Sequence, residues 1–278
     1  MSSPIITSKC HACRDGAEKP FPFSMAFQPI VNAEAREIFA YEALVRGPNG
    51  ESAFSVLNQV TEQNRYAFDQ NCRVAAITTA VRLGLAETGA RLSINFMPGA
   101  VYSAAACIKL TLDTARICNF PVDRLIFEIT EGEEVRDKAH LRGIVDEYRR
   151  RGFKVALDDF GSGYSGLNLL ADLPVDHLKL DIDLVRNLQQ RPTALMIVKS
   201  VVALAAALGQ DVVAEGIETV EEYLAVRGCG VRLMQGYLFA KPGFERLPEV
   251  NWPETELHMS AGAKLGQSAP RERHSAAE

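Results

Sequence analysis

Short apolar runs in this chain end repeatedly in a carboxylate or an amide. Glu42, Asn95, Glu128, the pair Asp158–Asp159, Lys179 with Asp181, Glu215 and Gln235 all stand at or beside such an end. A lone glutamate there reads as a strand-end cap or a solvated surface charge. The set does not read that way. If the runs are strands of one α/β barrel, their ends converge on its C-terminal face, where barrel active sites lie. Glu42, Glu128, Asp158, Asp159 and Glu215 would then repel one another and raise each other's pKa values unless cations neutralise them. Bound divalent metal is the simplest remedy, and it inverts the local potential so that an anionic substrate can approach.

The donor types narrow the metal. All are carboxylate or amide oxygens, with no His or Cys at a strand end. Hard oxygen ligands suit Mg²⁺ or Mn²⁺, with Ca²⁺ as an inhibitory competitor, whereas zinc prefers nitrogen or sulfur. The adjacent Asp158 and Asp159 suggest two ions, one carboxylate bridging while the other holds the second. Two ions roughly 3.5–4 Å apart clamp the attacking and leaving oxygens of a phosphoryl displacement. Lys179 can orient a nucleophilic water or stabilise charge on a phosphate. Phosphodiester hydrolysis is the leading chemistry.

The elements that must hold these groups follow from the pattern. Strands are expected at 25–31, 38–46, 91–96, 124–130, 154–159, 177–181, 211–216 and 232–237, several of them near-continuous apolar runs such as RLIFEIT, as strands buried on both faces should be. Helical segments separate most of them. Leu141, Ile144, Val145 and Tyr148 recur with helical spacing before a stop at Gly152, and a second helix opens at Pro192 and ends at Gly209. Strand–helix alternation argues for a parallel sheet, and eight strands for closure into a (β/α)8 barrel. Only NAEARE separates the first two strands, too little for a parallel crossover. The expected fold is therefore a TIM-like barrel with its first strand antiparallel.

The bulk properties agree. A chain of 278 residues with 47% hydrophobic and 23% charged residues fits a globular α/β barrel. A net charge of −5 gives no footprint for duplex nucleic acid. The N-terminus lacks the apolar run of a signal peptide, and Leu195–Leu208, which includes Lys199, is too short to span a bilayer, so a cytoplasmic protein without a membrane partner is expected. The folded body is placed at 23–250, between an N-terminal segment (1–22) carrying Cys10 and Cys13 and a polar tail (251–278) read as disordered. Cys10 and Cys13 form half a zinc or redox motif at most, since no second half appears. Cys72, Cys107, Cys118 and Cys229 are expected to pack as small hydrophobes, His177 to be structural, and Ala203 and Ala205–Ala207 to let a helix lie close on the barrel. FGSGYSG after the aspartate pair is either a mobile loop coupled to the site or a plain turn into a helix.

These residues resemble a known family. YEALVR (41–46) is similar to the signature of the EAL domain family of cyclic di-GMP phosphodiesterases, and FQPIV, SINF, FEITE, DDFGSGYS, LPVDHLKLD, AEGIE and QGYLFAKP follow in the family's order over about residues 23–245. The resemblance implies hydrolysis of cyclic di-GMP to linear pGpG with two Mg²⁺ or Mn²⁺ ions. It implies that Glu42, Asn95, Glu128 and Asp158 hold one ion, and that Asp158 bridges to another held by Asp159 and, directly or through water, by Glu215. Glu215 becomes the general base, Lys179 steadies the attacking water, and Gln235 completes the hydration shell. Gln28, Leu44 (through its backbone), Arg46, Asp181 and Glu218 become substrate contacts, Glu131 the anchor of the Gly-rich loop, and a homodimer the expected assembly. Gly47 replaces a tryptophan frequent in the family, Asp183 adds a negative charge near the site, and Gly166 stands where serine is frequent; none of these removes a proposed ligand. Alternatives are a catalytically silent cyclic di-GMP receptor, a protein-interaction module of the same fold, or a barrel hydrolase acting on another phosphodiester.

Overall fold

The computed structural model describes residues 21–101, 103–130, 138–163 and 166–254. Cys10, Cys13, Glu131 and, in the Gly-rich loop, Tyr164 and Ser165 lie outside them. Eight strands close the barrel: β1 (Ser24–Asn32), β2 (Glu37–Arg46), β3 (Arg91–Asn95), β4 (Leu125–Thr130), β5 (Lys154–Phe160), β6 (His177–Leu180), β7 (Asp211–Ala214) and β8 (Leu233–Met234). The hydrogen-bonded order runs from β2 through β8 to β1, and β1 pairs back onto β2. β1 is antiparallel to both neighbours, while every pair from β2–β3 to β7–β8 is parallel. The reversed first strand is therefore present. Its turn is closed by Asn32, whose Oδ1 accepts from the amides of Glu34 and Ala35, both at 3.1 Å, an Asx-type turn. A short extra strand, β9 (Gly243–Phe244), was not expected from sequence and adds antiparallel to β1.

Described helices cover the barrel: α1 (Ala53–Leu57), α2 (Arg65–Arg82), α3 (Ala104–Ile117), α4 (Lys138–Arg150), α5 (Gly166–Asp172), α6 (Ile182–Val185), α7 (Pro192–Ala207) and α8 (Val220–Gly228). α4 buries Leu141, Ile144, Val145 and Tyr148, and Gly152 and Gly209, beyond the ends of α4 and α7, adopt positive φ as stops should. Arg150 and Arg151 fold back onto Glu147, and Arg149 pairs with Asp176. Cys107 and Cys229 are buried. α7 departs from expectation. It buries Ala194, Val198, Val201 and Ala205, whereas Ala203, Ala206 and Ala207 face outward beside exposed Met196, Ile197 and Leu204. Among the described residues, no helix is long and apolar enough to cross a membrane.

Alternation along each strand divides the barrel into layers. Outward positions such as Leu92, Ile94, Phe127, Val155, Leu157 and Leu178 are buried against the helices. Inward positions are apolar at the floor, where Ile30, Ala40, Ile126, Ala156, Val213 and Leu233 cluster. Two residues along each strand, on the same face, stand Gln28, Glu42, Glu128, Asp158, Glu215 and Gln235. Two residues along each strand therefore separate a dry floor from a charged mouth.

His177 occupies a floor position on β6. Its ring stacks edge-on to Phe39 with centroids 5.5 Å apart, and neither ring nitrogen has a hydrogen-bond partner. Burial pushes its pKa down to about 4, against a smaller opposing effect of Asp211. The native state thus binds fewer protons than the unfolded chain between about pH 4 and 6.5, and stability falls as pH drops through that window by on the order of 3 kcal/mol. Comparing thermal midpoints across that range, wild type should lose more stability on acidification than His177→Leu; parallel profiles would remove His177 from the acid response.

Candidate active site

At the mouth, one ammonium meets four carboxylates. Lys179 Nζ lies 2.6 Å from Glu215 Oε1, 3.0 Å from Glu128 Oε2, 3.0 Å from Asp158 Oδ1 and 3.6 Å from Glu42 Oε2. Each carboxylate comes from a different strand or the residue just after it, so the barrel's closure brings together residues far apart in sequence. Glu42 also accepts from Asn95 Nδ2 at 3.0 Å and Gln235 Nε2 at 2.9 Å. Ser93 Oγ donates to Glu128 Oε1 at 2.6 Å.

Asp158 and Asp159 both reach the mouth because β5 breaks its alternation. A regular strand would send Asp159 to the outside. Instead the β5–β6 register shifts between Leu157 and Phe160, and Asp159 takes φ +55°, a costly conformation for a residue with a side chain and one that collects at functional sites. The Asp159 amide donates to Asp158 Oδ1 at 3.0 Å, and Ser162 caps the Asp159 carbonyl through both its amide and its hydroxyl.

The carboxylates divide into two overlapping groups able to hold a cation. Glu42, Glu128 and Asp158 form one, Asp158, Asp159 and Glu215 the other, with ligand oxygens within 4.8 Å of one another in each. Asp158 belongs to both. Glu128 Oε2 and Glu215 Oε1 accept no well-directed hydrogen bond; the ammonium touches them only as an ion pair. Buried carboxylate oxygens left in this state, with amide oxygens beside them, are the donor set of Mg²⁺ or Mn²⁺.

Electrostatics point the same way. Burial raises the Glu128 carboxyl well above the ordinary range, with Glu42 and Asp158 adding to the shift against Lys179. Burial likewise raises Asp158. Asp159 is pushed up to about 6 by burial and then by Asp158. Glu215 is pushed up to about 8, again chiefly by burial. Glu42 alone goes down: burial opposes it, but Lys179 and the amides of Gln235 and Asn95 prevail. The four carboxylates hold the Lys179 ammonium charged despite its burial. One buried positive charge cannot balance this many negative ones.

The other expected site residues surround the cluster without joining its contacts. Gln28 donates to the Ala240 carbonyl at 3.1 Å. Arg46, at the end of β2, donates to the Val45 carbonyl at 2.7 Å. Leu44 and Arg46 line a cavity of about 380 Å³ that also reaches Asn95. Asp181 caps α6 by accepting from the Asp183 amide at 2.8 Å, with Asp183 exposed. Glu218 is exposed and pairs with Arg186 at 3.4 Å. Glu131 lies outside the described residues.

Among the supporting residues that escaped the sequence reading are Ser93 and Glu222. Ser93 carries no recognisable signal, being a small polar residue inside an apolar run. Glu222 did carry one: Thr219-x-x-Glu222 is a capping box, and it forms at the start of α8. Glu222 also accepts from the amides of Asn187, Glu218 and Thr219, fixing the loop that follows Glu215.

The chain matches the EAL domain family over residues 19–242 and belongs to it. It is 30% identical over 233 residues to a cyclic di-GMP phosphodiesterase of Pseudomonas aeruginosa, covering 82% of this chain and 39% of that protein. It is 28% identical over 229 residues to the blue light- and temperature-regulated antirepressor BluF of Escherichia coli, covering 82% of this chain and 56% of the other. The chain thus spans about half or less of the length of these relatives. Among solved structures, a standalone EAL protein of Vibrio cholerae with c-di-GMP bound superposes with a TM-score of 0.81 at 51% identity, covering 84% of this chain and 98% of that one. The manganese and cy-diGMP complex of Klebsiella pneumoniae BlrP1 gives a TM-score of 0.78 at 34% identity, covering 84% and 59%.

Raised carboxyl pKa values imply that a cation must displace protons. Near pH 7, Mn²⁺ titrated calorimetrically should release protons from the raised carboxyls, Glu128 and Glu215 among them, so the heat should differ between PIPES and Tris in proportion to their ionisation enthalpies. Equal heats would show that the site accepts the ion without titrating.

Proposed function

We propose that this chain hydrolyses cyclic di-GMP to the linear dinucleotide pGpG, assisted by two Mg²⁺ or Mn²⁺ ions. The observation that carries this reading is the pair of carboxylate groups sharing Asp158, with Lys179 and Glu215 at their junction. When bound, the two cations supply Lewis acidity and an activated water. Glu42, Asn95, Glu128 and Asp158 would hold one, and Asp158, Asp159 and Glu215 the other, with Ca²⁺ competing unproductively for the same oxygens.

The chain's own groups perform the remaining tasks. Glu215, with a pKa raised toward neutrality, suits a general base that accepts a proton from the attacking water. Lys179, charged and held rigidly, orients that water and stabilises negative charge developing on the phosphate. Gln235, fixed on Glu42, completes the polar wall. Arg46, whose guanidinium donates to the neighbouring Val45 carbonyl, would meet a substrate phosphate. Gln28, the Leu44 backbone, Asp181 and Glu218 would line the rest of the nucleotide path. The solved relatives with cyclic di-GMP bound support this substrate.

Chromatography of cyclic di-GMP incubated with the purified protein tests the reading. Product should appear with Mg²⁺ or Mn²⁺ and vanish with EDTA. Glu215→Ala should retain nucleotide binding while turnover falls at least ~100-fold, the scale of a lost general base. Near-wild-type turnover would remove Glu215 from the mechanism. Saturable binding without product would make the chain a receptor.

A further inference from the structure

Behind β3 and β4, on the helix side of the barrel wall, α2 buries an ion pair that the proposed chemistry does not use. Arg73 Nη2 lies 2.6 Å from Asp69 Oδ2, with side chains 0% and 2% exposed. Burying two charges costs several kcal/mol, and apolar residues of similar volume often replace such a pair with no loss of stability. Stability is therefore an incomplete account of its presence. What the pair touches gives a better one.

Asp69 Oδ1 accepts from the Met97 amide at 2.9 Å, two residues beyond Asn95. The Arg73 guanidinium lies over the rings of Phe96 and Phe127, at 5.3 and 5.2 Å from their centroids. Phe96 follows Asn95, and Phe127 precedes Glu128. Arg73 Nη1 also donates to Tyr148 Oη on α4 at 2.8 Å. The pair thus grips the outer side of two adjacent strands whose inner sides carry Asn95 and Glu128. Beside this segment lies the cavity of about 380 Å³, lined by Asp69 and by Ile94, Asn95, Phe96 and Met97. Close packing does not fix the end of β3 on that side; the Phe96 amide bonds the Glu128 carbonyl at 3.1 Å, and the carboxylate–amide bond holds Met97 beyond it.

We infer that Asp69, braced by Arg73, is a positioning residue that sets Asn95 in place for cation binding through the Met97 amide. The inference rests on the cation site proposed above. It goes further by making metal affinity depend on a carboxylate that never reaches the mouth.

Two variants of the full chain separate positioning from packing. Asp69→Asn keeps an oxygen for the Met97 amide but leaves Arg73 buried without its counter-charge. It should lower the thermal midpoint while Mn²⁺ affinity, measured calorimetrically, stays close to wild type. The double variant Asp69→Leu/Arg73→Met removes both charges and the acceptor. Its thermal midpoint should stay near wild type while Mn²⁺ affinity falls about 10-fold or more, the scale for losing a group that orients a ligand. Affinity that simply follows thermal stability across the two variants would overturn the inference, as would an unchanged affinity in the double variant. A third measurement needs no variant. Coupling is reciprocal, so saturating Mn²⁺ should slow hydrogen exchange at the Met97 amide of the wild-type protein, and an unaltered rate would sink the idea even if the double variant did not fold. Wild-type protein that binds no Mn²⁺ would instead remove the cation site itself, and this inference with it.

Discussion

A surplus of buried negative charge at the barrel mouth is the constraint on which the rest of this structure depends. Lys179 touches Glu42, Glu128, Asp158 and Glu215 at once, and Asp159 adds a further carboxyl beside Asp158. A charge moved from water to a protein interior is costly unless it is paired, and a single ammonium cannot pair with them all. The site answers with amides on Glu42, a hydroxyl on Glu128 and raised pKa values on Glu128, Asp158, Asp159 and Glu215. These are partial remedies. The residual imbalance is what makes the mouth receptive to divalent cations.

The scaffold must hold mutually repelling groups close together, and it does so with backbone rather than with flexible side chains. The loops after β7 and β8 are joined by hydrogen bonds from the Ile217 amide to the Gln235 carbonyl and from the Leu238 amide to the Ile217 carbonyl. Gly236 makes that approach possible, since a Cβ there would lie 2.0 Å from the Ile217 carbonyl oxygen. Gly216, at φ +67°, sits equally tight against Ile182, which couples the residue after Glu215 to the helix that follows β6. Asp159 shows the same logic as strain: its left-handed backbone and the shifted register of β5 turn two consecutive aspartates toward one site.

Much of this was legible in the amino-acid order because a barrel strand is buried on both faces. RLIFEIT and KVALDD read as apolar runs closed by carboxylates, which located β4 and β5 and nominated Glu128 and Asp158 together. The short NAEARE connection dictated the reversed first strand on chain length alone. The absence of His and Cys at strand ends chose the class of metal. Helix α4 was legible because only one of its sides is apolar.

Where the pattern carried no contrast, the order of residues was silent. α7 is apolar nearly all round, so nothing in PTALMIVKSVVALAAA distinguished the buried side, and the alanines expected against the barrel face outward except Ala205. Ser93 and Asp69 are single polar residues whose partners, Glu128 and the Met97 amide, lie 35 and 28 positions away. The sequence by itself determined the eight barrel strands, their direction and the chemistry of their ends, because alternation and connection length are local properties. Tertiary structure decided which ends meet, how Asp159 turns inward and which buried groups brace them, because those depend on barrel closure and register, which bring distant residues within hydrogen-bonding distance.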